Sequence, residues 1–179
     1  DVDGVTITKD AILGPDGTPL GGGLTADALT AAGVPVLLRQ GILPGGVSMN
    51  VDATESMQFL NIEGLEVEVG GPVIIEYQNS FRLTEAGEAD HHFTIQPDGG
   101  LVQPTEIVLV QTAETLGQYV PITRRIAVDL QPGTYKFGWR CVVLSGRLQS
   151  SGAPGVSQMT VYTCPPTVEN VHDYTHLGS

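Results

Sequence analysis

The sequence predicts an all-β protein: an antiparallel β-sandwich entered through an extended N-terminal arm that contains one short helix. Three observations predict it. Glycine (23) and proline (12) make up about a fifth of the 179 residues, a level suited to a chain that turns often. From Val47 onward, apolar–polar alternation recurs between turn-forming residues, the pattern of strands with one buried face. Finally, the Pro132-Gly133 turn feeds a long segment ending at Leu144. This segment sets Tyr135, Phe137, Trp139, Cys141 and Val143 on one face and Lys136, Gly138 and Arg140 on the other. It holds the only tryptophan and one of the four phenylalanines, so Tyr135, Phe137 and Trp139 are expected to form the spine of the core.

Residues 1–46 read as the arm. A short alternating piece, Val5–Thr8, precedes a Gly/Pro-rich run over residues 14–23 that suits neither a helix nor an interior strand. Thr25 can cap one short helix, Ala26 to Ala32, which Gly33 and Pro35 end. The apolar residues that follow, Val34, Val36, Leu37, Leu38, Ile42 and Leu43, cannot close a core alone. They are expected to bury on another surface, that of a neighbouring subunit in preference to the arm's own domain.

Residues 47–166 read as the sandwich. Expected strands are Val47–Val51, Met57–Ile62, Leu65–Val69, Pro72–Leu83, His91–Gln96, Glu106–Thr112, Gln118–Leu130 (with a break at Pro121), Thr134–Leu144 and Val156–Thr163. Turn chemistry separates them at Glu63-Gly64, Gly70-Gly71, Glu85-Ala-Gly87, 97–100 and Pro132-Gly133. That many strands without convincing helices between them means a sandwich or jelly roll, not alternating strands and helices. Residues 167–179 read as a polar tail.

The formal charge of -12, from 20 acidic and 8 basic residues, repels phosphate backbones and anionic lipid and argues against nucleic acid as a partner. No apolar run approaches the roughly 20 residues that span a bilayer as a helix. The chain begins at Asp1 instead of Met, so a preceding residue or segment is expected to have been removed.

Cys141 and Cys164 lie on the last two expected strands, and the midpoint between them falls in the turn-forming run 150–155. A hairpin folded there sets them opposite each other, close enough to form a disulfide. The alternative is two buried thiols packed as small apolar groups.

No catalytic constellation stands out: there is no Gly-x-Ser-x-Gly, no His-Glu-x-x-His and no P-loop. Glu66 and Glu68 alternate outward as a solvated face. Asp90-His91-His92, with Glu85 and Glu88 nearby, is the richest set of metal-ligating side chains. Adjacent strand residues face opposite ways, however, and a metal needs ligands that converge. His172 and His176 have the spacing of a helical ligand pair, but nothing places them near His92. The expectation is therefore an acidic hairpin loop at Glu85–Asp90, an ordinary tail, and no metal or cofactor.

The segment from Gly133 to Trp139 (GTYKFGW) resembles the strand signature Gly-x-Tyr-x-Phe-x-(Phe/Tyr) of C1q/TNF-like jelly rolls, with Trp139 at the last aromatic position. Ile126–Leu130 stands where that family has the strand leading into it, although Ala127 lies where the family has Phe. The resemblance implies a trimer around a threefold axis. Similar trimeric sandwiches occur in bacteriophage tail fibres, receptor-binding tips and capsid decoration proteins, where an N-terminal arm attaches the globular part. The function expected on this basis is a non-enzymatic, oligomeric virion component, found in a virion or extracellularly. It would contact copies of itself and other structural proteins through its arm and one sandwich face. The alternative is a secreted or surface-exposed binding module, for example for carbohydrate.

Overall fold

The computed structural model describes residues 6–7, 12–13, 29, 33–42, 50–68, 70–112, 116–153, 156–166 and 168–178. The strands are β1 (Thr6–Ile7), β2 (Ile12–Leu13), β3 (Leu37–Ile42), β4 (Asn50–Asp52), β5 (Ser56–Val67), β6 (Gly71–Pro97), β7 (Gln103–Pro104), β8 (Leu109–Thr112), β9 (Val120–Leu130), β10 (Gly133–Ser150), β11 (Gln158–Thr163) and β12 (Val171–Asp173), with a short 3-10 helix at Thr175–Gly178. β1 and β2 pair with each other, and the other ten strands form one continuous hydrogen-bonded network. The protein is all-β and jelly-roll-like.

The centre of the network is β6, which is 27 residues long. Its first part pairs with β9 along one edge and with β11 along the other. Its later part pairs with β10, and on the opposite edge with β8 and β7. β10 in turn carries β5 and β4, β11 carries β3, and β9 carries β12 in the one parallel pairing among the described residues.

β6 doubles over on itself. Phe81 and His91 have ring centroids 5.1 Å apart, yet ten residues of straight strand would separate them by about 33 Å. Tyr77, near the start of the same strand, stacks on Trp139 of β10 at 4.3 Å and an interplanar angle of 18°. One strand therefore contributes to both layers of the sandwich. The core between them includes Ile75, Tyr77, Phe81, Phe93, Ile95, Tyr135, Phe137, Trp139, Val143, Met159 and Val161, all fully buried.

The fold-over occurs where β6 and β10 slip register three times, between Val143 and Leu148. Slips of this kind are bulges, which bend a strand and increase its twist. Glycines make the close approach feasible. A Cβ on Gly87 would lie 2.0 Å from the Ser145 carbonyl oxygen, and Gly146 has φ +75 with Ala86 O 2.7 Å from where its Cβ would be.

Several expected boundaries change. The turn expected at Glu85-Ala-Gly87 is a bend within one strand, so Pro72–Leu83 and His91–Gln96 are parts of β6, and Glu85–Asp90 is not a loop. Likewise Glu63-Gly64 is a bulge inside β5, with Gly64 at φ +65, and β9 runs unbroken through Pro121. The β10–β11 hairpin does not form, because β11 pairs with β6 and β3. The tail is docked: β12 extends the sheet, and Tyr174 and Leu177 pack against the core. The helix expected at Ala26–Ala32 lies outside the described residues except for Leu29. Its expected stop is visible, since Gly33 has φ +82 and the Val34 N–H donates to the Leu29 carbonyl at 2.9 Å, a helix-ending 6→1 bond.

Replacing Gly87 with Ala drives a methyl into backbone that cannot move aside. We expect it to destabilise the protein by about 3 kcal/mol or more, at the upper end for overpacking. Gly133→Ala, whose Cβ would be no closer than 3.4 Å to Tyr135, should be nearly neutral. Urea midpoints of the two variants and the parent check the contrast.

Candidate functional site

Among the described residues, a cluster of reactive side chains in the interior is built around His91. Alternation along β6 turns His91 inward and His92 outward: His91 is fully buried, while half-buried His92 donates from Nδ1 to the Thr105 carbonyl at 2.9 Å. Trp139 Nε1 lies 3.2 Å from His91 Nδ1, and Cys141 Sγ is also 3.2 Å from that nitrogen. An indole N–H can only donate, so Nδ1 carries the lone pair. Nε2 therefore carries the proton and donates to Gln111 Oε1 at 3.2 Å. Gln111 is itself buried, and its amide donates to the Phe81 carbonyl at 3.5 Å. Beside this cluster, Asn79 donates to the Tyr77 hydroxyl at 2.7 Å, and that hydroxyl meets Ser157 Oγ at 3.2 Å.

A thiol on one imidazole nitrogen and an amide oxygen on the other is the order nucleophile, base, orienter found in cysteine hydrolases. Here the electrostatics oppose it. Burial pushes the Cys141 thiol well up and brings His91 down to about 4, so both groups are held neutral, whereas reactive cysteines need the thiolate. Both residues are 0% exposed, and neither lines any of three prominent surface clefts. Those clefts are a space of about 400 Å³ between the 97–100 and 132–135 turns, one of about 260 Å³ lined by Arg125, Glu169 and His172, and one of about 120 Å³ at Thr105–Val108. The cluster is a hydrogen-bonded part of the core.

The other expected ligands do not converge. Glu85 is exposed on β6, Glu88 and Asp90 are half-buried there, His172 lies on β12, and His176 lies in the 3-10 helix and not one helical turn from a partner. Among the described residues no three His, Cys, Asp or Glu side chains are arranged to hold a metal ion. The cysteines are free and buried. Cys141 sits opposite His91 on β6, whereas the Cys164 N–H donates to the Pro72 carbonyl, near the other end of that strand. Because the hairpin that was to align them does not form, the expected disulfide is absent, and Cys164 packs instead with Ile74 and Ala127.

On the outside, the prominent feature is β3. The apolar part of the arm joins the sheet in cis: β3 runs antiparallel to β11, Val36 donates to the Thr163 hydroxyl, and Arg39 reaches the Gly64 carbonyl. Only the backbone is satisfied. Leu37 is 55% exposed, Leu38 38% and Ile42 53%, with Val34 exposed and Val36 half-buried. Leu43 lies outside the described residues. β3 has no pairing partner other than β11 among the described residues. Sequence reasoning located these residues but not Gln111, whose inward position in the strand LVQT was the only available signal.

No protein-family model matches the chain, and no curated protein is similar to it. The chain is similar to several solved structures at low identity. The Eiger TNF of S. frugiperda is 12% identical with a TM-score of 0.46, covering 76% of this chain and 99% of its own. The VP2 subviral particle of infectious bursal disease virus is 10% identical with a TM-score of 0.47, over 75% of this chain and 34% of the VP2 chain. A carbohydrate-binding module from Cellvibrio mixtus lichenase 5A, solved with cellotriose, is 12% identical with a TM-score of 0.35, over 70% of this chain and 97% of its own. This chain thus spans about a third of the VP2 length.

If both thiols are free and buried, unfolded protein that has never met a reductant should take up two equivalents of iodoacetamide by mass spectrometry. In native protein at pH 8, Cys141 should stay unmodified after surface thiols of a control protein have reacted fully. A single mass species carrying no label after unfolding would contradict the assignment.

Proposed function

We propose that the protein is a non-enzymatic, oligomeric structural component, an assembly unit of a virion, that contacts copies of itself and neighbouring structural proteins through its arm. The observation that carries this reading is β3: an edge strand whose leucines and isoleucine remain in water. Proteins usually blunt such edges with charge, proline or bulges, because an open edge recruits further strands. β3 has one cation, Arg39, and no proline within it. Its apolar surface also lies on a chain of net charge -12, whose self-repulsion otherwise opposes association. A docked neighbour would cover what remains exposed of Leu37, Leu38 and Ile42, each gaining roughly 1 kcal/mol. In support of a non-enzymatic role, the nucleophile–base pair Cys141–His91 is neutral and sealed. A trimer is the assembly favoured by the resemblance of the Gly133–Trp139 strand to C1q/TNF-like jelly rolls, and a virion or extracellular setting goes with it.

A carbohydrate-binding module remains the second reading. It rests on exposed Tyr119, whose hydroxyl donates to Gln149, and on the Arg82 guanidinium 4.7 Å above its ring. Trp139 offers no sugar platform, since it is fully buried.

Light scattering on the full chain should give a mass that is a multiple of 18.8 kDa, threefold for a trimer. The double variant Leu37→Lys, Ile42→Lys should keep the parent's circular dichroism and fall toward the monomer mass. A parent that is monomeric at 100 μM, or a variant that assembles like the parent, would sink the proposal.

A further inference from the structure

His91 occupies the point where the two layers are joined. Its Nδ1 is the acceptor for the Trp139 N–H and lies equally close to Cys141 Sγ, while its Nε2–H is committed to Gln111. The Trp139 ring stacks on Tyr77 of the first part of β6 and meets Phe93 of the later part edge-on at 5.0 Å. The imidazole itself packs on Phe81 at 5.1 Å and on Trp139 at 5.7 Å. The bond from Trp139 to His91 therefore ties together rings from both arms of the fold-over.

We propose that His91 is an acid-operated release for this joint: one proton taken from solvent onto Nδ1 removes the acceptor that holds Trp139 and loosens the two layers from each other. A second N–H at that position would point at the indole N–H and the thiol. Two donors facing each other in a dry interior cost the hydrogen bond and leave a buried group unsatisfied. Among the described residues no carboxylate faces His91 to offset the new charge, and only the hydrogen bond to Gln111 favours it. On β10 the facing titratable group is the Cys141 thiol, and on the first part of β6 it is the Tyr77 hydroxyl, both kept neutral by burial. β8 supplies Gln111, an uncharged amide. The charges that act on His91 are those of His92, its neighbour on β6, and Arg124 on β9, and both disfavour a cation. Asp90, the adjacent carboxylate, follows strand alternation onto the opposite face.

The direction follows from linkage. Burial sets His91 at about 4 in the folded protein against an ordinary value of 6.5, so the unfolded chain takes the proton first. The stability that neutral His91 contributes is complete above pH 6.5, declines as pH falls, and is lost at about pH 4. From well above pH 6.5 to well below pH 4 the folded-to-unfolded ratio should fall on the order of 300-fold through this one residue. The release is independent of the assembly reading, because the joint lies inside a single chain.

The test uses Trp139, the single tryptophan of the chain. Trp139 emission should be blue-shifted at pH 7.5 and move to the red as pH falls below 6.5, with its midpoint near pH 4. Urea titrations at each pH should show a net uptake of about one proton on unfolding in that window. His91→Gln, which cannot take a proton, should keep its emission constant to pH 4, whereas His176→Gln in the 3-10 helix should behave like the parent. Emission that stays constant to pH 4 in the parent overturns the proposal, as does an acid transition unchanged in His91→Gln or abolished in His176→Gln. Should His91→Gln fail to fold, the proton count in the parent decides alone: no uptake between pH 6.5 and 4 rejects the release.

Discussion

The architecture depends on one strand being used twice. β6 supplies pairing edges to β9 and β11 in its first part and to β10, β8 and β7 in its later part. It can do so only because it folds over where Gly87 meets the Ser145 carbonyl. The other strands of the ten-stranded network attach to that ribbon. β5 and β4 hang on β10, β3 hangs on β11, and the C-terminal residues extend β9 through β12. The fold-over also concentrates the aromatic side chains. With aromatic residues at only 6% of the chain, Tyr77, Phe81, Phe93 and Trp139 are brought together around His91.

A polar cluster at such a point has a physical consequence. A core made only of Val, Ile and Leu tolerates sliding of one layer over the other, since apolar contact has no direction. The bonds from Trp139 to His91 and from His91 to Gln111 do have direction, and they fix the stacking register. The same dryness that strengthens them makes any extra charge costly. An arrangement that resembles a cysteine–histidine catalytic pair is thereby turned into a structural one. The exterior shows the opposite economy: β3 is held by its backbone while its side chains stay in water, an arrangement that suits a surface meant to be covered.

Much of this was legible in the sequence where local alternation decides the outcome. Tyr135, Phe137, Trp139, Cys141 and Val143 could be assigned to one face because a strand with one wet side repeats every two residues, and all five are fully buried. The same rule separated His91 from His92. Turn chemistry was ambiguous, since Glu85-Ala-Gly87 and Glu63-Gly64 suit a turn and a bulge equally. Only the opposing carbonyl of Ser145, distant in sequence, selects the bulge at Gly87. The Cys141–Cys164 hairpin failed for a related reason. Consecutive strands are neighbours in most cases but not all, and β11 found a longer partner in β6. Beyond its inward place in its strand Gln111 gave no hint of its role, because its partner lies 20 residues away on another strand.

The account rests on His91 being neutral, protonated on Nε2 and bonded through Nδ1 to Trp139. Nitrogen-15 NMR of protein labelled at histidine, recorded at pH 7.5, reads this directly. One of the four imidazoles should show a single fixed tautomer, with a slowly exchanging proton on Nε2 and a bare Nδ1 that correlates with the Trp139 indole N–H. Four imidazoles that all average between tautomers, or an imidazole coupled to the Trp139 indole that carries its proton on Nδ1, would contradict it.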